Sequence, residues 1–349
     1  MTQPSYSSVL EPMAQHEAAP ADSLENDWDA IIVGGGIAGL SAAIYLGRAL
    51  RKSLIVDAGE SLAIWEPHVQ NYLGFPEGIA GPELLKLGRE QATRYGIKFL
   101  KEEVHSISGS VGHFSVQGLH CSLNAKRVLL STGLYHLPPQ IPAVDECLGQ
   151  SFFFCKDCDG WRVKDRKVLI VGRNNDAVEY ALGMLLYSPC IMLATDGQPP
   201  KWDTQHAEWI HEYEIPVYSE KICDVEHVRG TLEIIRFSDG AEAKVDYLFT
   251  TRGDIFHNSL ARQLNVELDE EGQIIVDAKQ RTNIPGVYAA GCVTQANCQM
   301  IIAAGDGAAA GQAINRDLFD ESLREHTLKR LREKQVAQGT ATPELIRPR

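Results

Sequence analysis

The chain has 349 residues, enough for two packed domains, and 44% of its side chains are hydrophobic. A formal charge of −13 argues against nucleic acid or an anionic membrane surface as the main partner. No apolar run is long enough to cross a bilayer, and the N-terminus lacks the basic start and apolar core of a secretory signal, so a cytoplasmic location is expected.

Residues 1–27 are rich in Ser, Ala, Pro and acids without periodicity and read as a disordered extension. From Trp28 the pattern changes: DAIIV is a short buried strand, GGGIAG a glycine turn, LSAAIYLGRAL a helix and SLIVD a second strand, which together make a βαβ unit. Residues 81–95 read as a helix, and 97–133 as hairpin strands ending in the apolar RVLLSTG. The Pro-rich LPPQIPAV at 137–144 marks the crossing into a second domain. There KVLIV, GRNNDA and VEYALGMLLY repeat the strand–turn–helix order, and CIMLA is the next strand. TLEIIRF and KVDYLFT flank Ser238-Asp239-Gly240, a hairpin turn. After about residue 265 the chain is expected to return to the first domain through GVYAAG and the helix MIIAAGDGAAAGQAIN. A charged helix and a polar tail over 336–349 end it. The fold expected is α/β, with two Rossmann-like, doubly wound, three-layer domains. The first spans 28–136 and 265–335 and is discontinuous; the second spans 137–264.

Gly34, Gly36 and Gly39 form GxGxxG directly after a strand. The first glycine permits the tight turn, the second lets a pyrophosphate approach the backbone, and the third lets helix and strand pack closely. The helix N-terminus then offers free N–H groups and a positive dipole to the phosphates. Asp57 ends the next strand, where a carboxylate would hold a ribose 2′-OH. Strand, motif, helix, strand and acid in order make a dinucleotide site.

Between the two strand–turn–helix units lies Cys155-Lys156-Asp157-Cys158-Asp159-Gly160. Two cysteines at this spacing can close a small disulfide that opens and reforms, and Lys156 or a helix terminus would lower a thiol pKa. Asp159 can carry the proton that each exchange step moves. The bland readings are half of a zinc site or inert thiols. Zinc would need two more ligands, and no second CxxC or His pair is present; Cys292 and Cys298 would serve only if the fold brought them close. No metal is expected. Of the other, scattered cysteines (121, 147, 190, 223, 292 and 298) most are expected as thiols, with Cys292 and Cys298 forming a weaker cluster than Cys155 and Cys158.

On these motifs the chain resembles the low-molecular-weight thioredoxin reductases from about residue 28 to 318. Asn71-Tyr72-Leu73-Gly74-Phe75-Pro76 and Gly81-Pro82-Glu83-Leu84 are similar to the family's segment over the flavin. Ser131-Thr132-Gly133 stands where the family has Ala-Thr-Gly. TNIPGVYAAG, ending at Gly291, resembles the strand that meets the flavin ribityl chain, and Gln299 matches a Gln near the isoalloxazine. The resemblance implies FAD in the first site, with Cys158 next to the flavin, Cys155 exchanging with a protein substrate such as thioredoxin, and Asp159 as the family's proton-moving acid. It also implies two alternating domain orientations and a homodimer.

Two departures stand out. The family carries GxGxxA at the second turn and, a strand later, a His-Arg-Arg…Arg set that grips the NADPH 2′-phosphate. This chain has Gly172-Arg173-Asn174-Asn175-Asp176-Ala177, with Asn174 in place of the second glycine, and Thr195-Asp196-Gly197 with no arginine pair. Asp196 would repel a 2′-phosphate but accept a free ribose 2′-OH. The site is thus vestigial, or takes NADH, or takes another nucleotide such as a second FAD. Branches of the family with this loss resemble ferredoxin-linked or diflavin reductases, or dithiol oxidases that pass electrons to oxygen; CKDCDG is nearer the reductases. The expected function is an FAD-dependent disulfide oxidoreductase acting without NADPH, with ferredoxin as a candidate donor. The rivals are a dithiol oxidase, an NAD(P)H-dependent reductase and a non-catalytic flavin redox sensor. The second departure is Cys292, where the family has an Asp that bonds the FAD; it is read here as a small buried filler. Trp161 and Trp65 are read as core rather than as flavin-stacking residues.

Overall fold

The computed structural model describes residues 26–251 and 253–338. The expected extension falls outside them up to residue 25, and the expected tail from residue 339. In chain order the first half runs β1 (Asp27–Val33), α1 (Ile37–Arg48), β2 (Ser53–Asp57), α2 (Gly81–Arg94), β3 (Lys98–Lys101), β4 (Val104–Ser110), β5 (His113–Gly118) and β6 (Ser122–Leu130). β7 (Leu134–His136) leads out of it. Then come α3 (Val144–Cys147), β8 (Phe152–Phe153), α4 (Lys156–Asp159), β9 (Val168–Val171), α5 (Asn175–Met184), β10 (Ile191–Ala194), α6 (Thr204–Glu212) and β11 (Val217–Tyr218). β12 (Ile222–Val228), β13 (Thr231–Phe237), β14 (Glu242–Lys244) and β15 (Tyr247–Thr250) follow. β16 (Asp254–Phe256), α7 (Ser259–Gln263), β17 (Val287–Ala289), α8 (Met300–Arg324) and α9 (Thr327–Ala337) close the chain.

β2, β9 and the second halves of β1 and β6 are near-continuous buried runs, as strands covered on both faces must be. β3, β2, β1 and β6 pair in parallel in that order. β6 is long enough to take two neighbours on its far side. Its first residues pair antiparallel with β5, and Val128–Leu130 pair in parallel with β17. The sheet is therefore assembled from two stretches separated by all of β7 to β16. Apolar clusters cover its two faces, one around Ile31, Leu54 and Val128, the other around Ile32, Ile55 and Leu129. This is the three-layer arrangement expected of a Rossmann-like fold.

The second sheet, β11-β10-β9-β15-β8, is parallel throughout and also covered on both faces. The antiparallel trio β12-β13-β14 is appended to it. Here the expectation needs correcting. Ser238-Asp239-Gly240 does turn a hairpin, but β13 pairs with the short β14, and Tyr247–Thr250 continues into the parallel sheet. The two passages between the sheets, β7 and β16, pair with each other antiparallel. Among the described residues no helix is long and apolar enough to cross a membrane.

Candidate active site

The turn after β1 opens onto a cavity of about 500 Å³ that runs past Asp57 and Thr132 to Gly291, Cys292, Cys298 and Gln299. Its glycines divide the work. Gly34 has φ +105°, and a Cβ there would strike the Ser131 carbonyl while one on Gly39 would strike the Gly34 carbonyl, so both are glycine for the sake of the protein's own packing. Gly36 is different. Its φ is −73°, open to any residue, and a Cβ there would come no nearer than 3.3 Å to another atom, the Ser61 hydroxyl. Among the described residues only the Ser61 side chain, which need shift only slightly, approaches that position, so the chain's own packing does not demand a bare backbone at Gly36. It lines the cavity at the N-terminus of α1, which no side chain caps. The free surface and the helix dipole suit a pyrophosphate at this spot. Asp57 binds the turn from below: its Oδ1 accepts from the Gly35 N–H at 3.0 Å and its Oδ2 pairs with Arg89. The residues present fit a dinucleotide such as FAD.

The remaining residues assigned to that site separate. Thr132 donates to the Gly-adjacent loop through the His257 carbonyl (2.6 Å), and His257 in turn donates its backbone N–H to Gly133. Asn71 lies outside the large cavity and lines a smaller neighbouring one of about 90 Å³. Trp161 is 53% exposed with Arg162 over its ring, so it is not the core residue expected, and Trp65 is half-buried.

The smaller cavity holds the dithiol. Cys155 and Cys158 are disulfide-bonded, with Cα atoms 5.3 Å apart, and both line it together with Asp159, Gln299 and Met300. Cys155 is the N-cap of α4, and its sulfur accepts from the Cys158 N–H at 3.1 Å. A thiolate formed there would keep that bond and the start of the helix beside it. Lys156 is turned to Asp157, at 3.0 Å. Asp159 accepts from Arg162 Nε at 2.8 Å, yet burial outweighs the guanidinium and holds its carboxyl above the ordinary range.

A second carboxyl was not foreseen from sequence. Glu66, from the loop before α2, lines both cavities; burial first and the charge of Asp159 second raise its pKa, against His136 and Arg162. Two acids with raised pKa thus line the small cavity with the dithiol, one from the loop before α2 and one from α4. His136 is a third neighbour, stacked on Phe154 at 4.7 Å and bonded to Asp254 at 2.6 Å.

The larger surprise is Cys292. It is not a lone filler: it is disulfide-bonded to Cys298, with Cα atoms 4.7 Å apart, and both open onto the large cavity. Their spacing in sequence had suggested only a weak cluster. The carboxylate nearby is Asp306, whose Oδ1 accepts from Gln280 and whose Oδ2 is buried without a partner among the described residues.

At the second turn the polar groups are engaged with one another. Asn174 caps α5, its Oδ1 accepting from the Ala177 N–H at 3.2 Å while its Nδ2 donates to Asp176. Asn175 makes a two-way pair with Asp203. The Arg173 carbonyl accepts from Lys201, and Gly172 packs against Thr251 and Ala177. Asp196 is 7% exposed, and its Oδ1 accepts from the Ile222 N–H at 3.0 Å. It is built into the entry to β12 rather than presented to a ribose. Among the described residues no cluster of three metal-ligating side chains occurs.

Residues 28–308 match the family model described as pyridine nucleotide-disulphide oxidoreductase. The chain is 27% identical to the thioredoxin reductase of Listeria monocytogenes over 87% of its own length and 97% of that protein's. It is 30% identical to NADPH-dependent thioredoxin reductase 3 of Arabidopsis thaliana over 84% of this chain and 59% of that longer one. The Bacillus anthracis protein assigned as thioredoxin reductase TrxB superposes with a TM-score of 0.77 at 29% identity, over 84% of this chain and 99% of that one. With its Gly36 cradle and its dithiol beside the same cavity, the chain belongs to the pyridine nucleotide-disulphide oxidoreductase family, as an FAD-dependent oxidoreductase of the thioredoxin reductase type.

Proposed function

We propose that this enzyme carries electrons between FAD and the Cys155–Cys158 disulfide and on to a protein disulfide such as that of thioredoxin, without NADPH as donor. The observation that carries the reading is the placement of the dithiol in a small cavity that shares Glu66, Cys298, Gln299 and Met300 with the dinucleotide cavity. We take 28–136 with 265–335 as the flavin domain and 137–264 as the domain that brings the dithiol to it.

Gly34, Gly36, Gly39, Thr132, Gly133, Gly291 and Gln299 would hold FAD, with Asp57 bracing the turn. When bound, FAD would supply a redox group that can take electrons singly or in pairs and pass two to the disulfide. The chain's own residues do the rest. Opening the disulfide leaves Cys155 and Cys158 as a dithiol; the thiolate at the N-cap of α4 is stabilised by the Cys158 N–H, and Asp159 and Glu66 take up and return protons. Cys155 then attacks the substrate disulfide, a mixed disulfide forms, and Cys158 resolves it. Arg162 ties this machinery across the cleft, bonding Asp159 with one nitrogen and the His68 carbonyl with another.

The donor is inferred from the second turn. Asn174 caps its own helix, and the segment after β10 carries no arginine pair like that of the family pattern, so a one-electron protein donor such as ferredoxin is proposed instead. The engagement of Asn175 and Asp196 argues against a second FAD. The rival favoured by a specific finding is NAD(P)H dependence, since the Arabidopsis relative is named for NADPH. A cytoplasmic homodimer completes the proposal; sedimentation of the purified protein measures the dimer. The exchange step is tested by mixing anaerobically reduced enzyme with oxidised thioredoxin and counting new thioredoxin thiols. At least two per enzyme are expected from the wild type and none from Cys155→Ser. Thioredoxin binding that Cys155→Ser keeps while the wild type makes no thiols would move the reading to a sensor, and oxygen uptake with small dithiols but no exchange would move it to an oxidase.

A further inference from the structure

Cys292 and Cys298 flank the turn from β17 to α8, six positions apart, and are joined to each other. A bond over so short a loop restrains little of the unfolded chain. Its setting is not that of a staple in the core: both residues are only half-buried, and the nearest element is the N-terminus of α8, where Gln299 caps without a side-chain bond. A thiolate at Cys298 would sit beside free N–H groups and the positive end of a long helix. Cys298 also has a position that no other cysteine shares among those lining the two cavities. It borders the dinucleotide cavity together with Cys292, and it borders the small cavity together with Cys155 and Cys158.

We propose that Cys292–Cys298 is a second redox-active disulfide, which exchanges with the Cys155/Cys158 dithiol across the small cavity and lets one subunit store a second pair of electrons. The inference rests on the reading of Cys155–Cys158 as the primary pair. In the exchange, a thiolate of the reduced pair attacks the Cys298 sulfur. The Cys292–Cys298 bond breaks, Cys292 leaves as a thiolate, and a mixed disulfide links the pairs. The second thiol of the primary pair then displaces Cys298 and closes Cys155–Cys158 again. Two electrons and two protons move from one pair to the other, and no further reductant is consumed. An enzyme fed one electron at a time and discharging two to a disulfide gains a buffer between the two steps.

The test uses the full chain with its flavin and reads thiols rather than turnover. The oxidised protein is titrated anaerobically with dithionite. At each point it is denatured, thiols are trapped with N-ethylmaleimide, and peptides are identified by mass. Cys292 and Cys298 are expected to pass from unlabelled to almost fully labelled, together with or after Cys155 and Cys158. In oxidised Cys155→Ser or Cys158→Ser, the remaining primary cysteine is expected to accumulate in a disulfide-linked peptide with Cys298, with Cys292 labelled. Cys292 and Cys298 that stay bonded through full reduction, that are labelled even in the oxidised protein, or that form no cross-pair peptide in either variant would overturn the proposal. Cys155 and Cys158 failing to change label would instead overturn the primary reading, and the two failures appear on different peptides.

Discussion

The chain contains two strand–turn–helix units of one design, and they treat the start of the helix in opposite ways. After β1 the turn leaves the N-terminus of α1 without a side-chain cap and keeps Gly36 bare toward a large cavity. After β9 the turn fills the same position from within, since Asn174 caps α5 with its own side chain. A helix N-terminus can serve a ligand's phosphate or its own chain, and one residue decides which. The comparison shows that the fold supplies the scaffold twice while the two turns treat their helix starts differently.

The largest effect expected falls on the dithiol that bridges the two units. Cys158→Ser should lower disulfide exchange to below roughly one-thousandth of the wild-type rate while leaving the flavin spectrum's intensity intact, because the thiol that resolves the mixed disulfide on Cys155 and takes electrons from the flavin is lost. Stopped-flow reduction of a thioredoxin disulfide measures it. Asp159→Asn should slow the same reaction about 100-fold, the usual worth of a positioned proton carrier. Its pH profile should lose the limb that Asp159 supplies.

The two turns themselves can be contrasted by substitution. Gly36→Val places a side chain in the cavity and should weaken FAD retention on gel filtration by about tenfold or more, equivalent to about 1.4 kcal/mol. Asn174→Ala should leave FAD retention unchanged and cost about 1 kcal/mol of stability through loss of the cap, seen as a lower Tm. If Gly36→Val bound FAD normally, the division of labour between the turns would be wrong.

The smallest effect expected concerns Glu66. Burial and Asp159 raise its pKa in the folded chain. The stability it contributes is therefore full below the ordinary carboxylate pKa and is lost as pH rises through the raised folded value. Glu66→Gln should accordingly raise Tm at about pH 7 and leave it nearly unchanged at about pH 4, which calorimetry at the two pH values checks.

Much of this was legible in the residues. GGGIAG between two apolar runs announced α1 and its cradle, and Cys155 with Cys158 announced the redox pair, because both signals are local in sequence. The loss of glycine at position 174 was also visible, but its consequence was not. Whether Asn174 blocks a ligand or caps a helix depends on a rotamer and a 3.2 Å bond. Asp196 was misjudged for a similar reason: its place at a strand end suggested a ribose ligand, whereas tertiary packing gives it the Ile222 N–H. Glu66 left no signal, since its meaning comes only from meeting Asp159 across the cleft. Cys292 looked like a filler until the turn before α8 folded Cys298 onto it.

The most direct test of the contrast between the two turns is an anaerobic absorbance titration of the purified protein with NADPH and then NADH, followed by dithionite. Neither nucleotide is expected to bleach the flavin band quickly, and dithionite is expected to bleach it fully. Fast bleaching by either nucleotide would show that the second turn still admits a dinucleotide despite Asn174, and would return the enzyme to the pyridine-nucleotide-linked reductases.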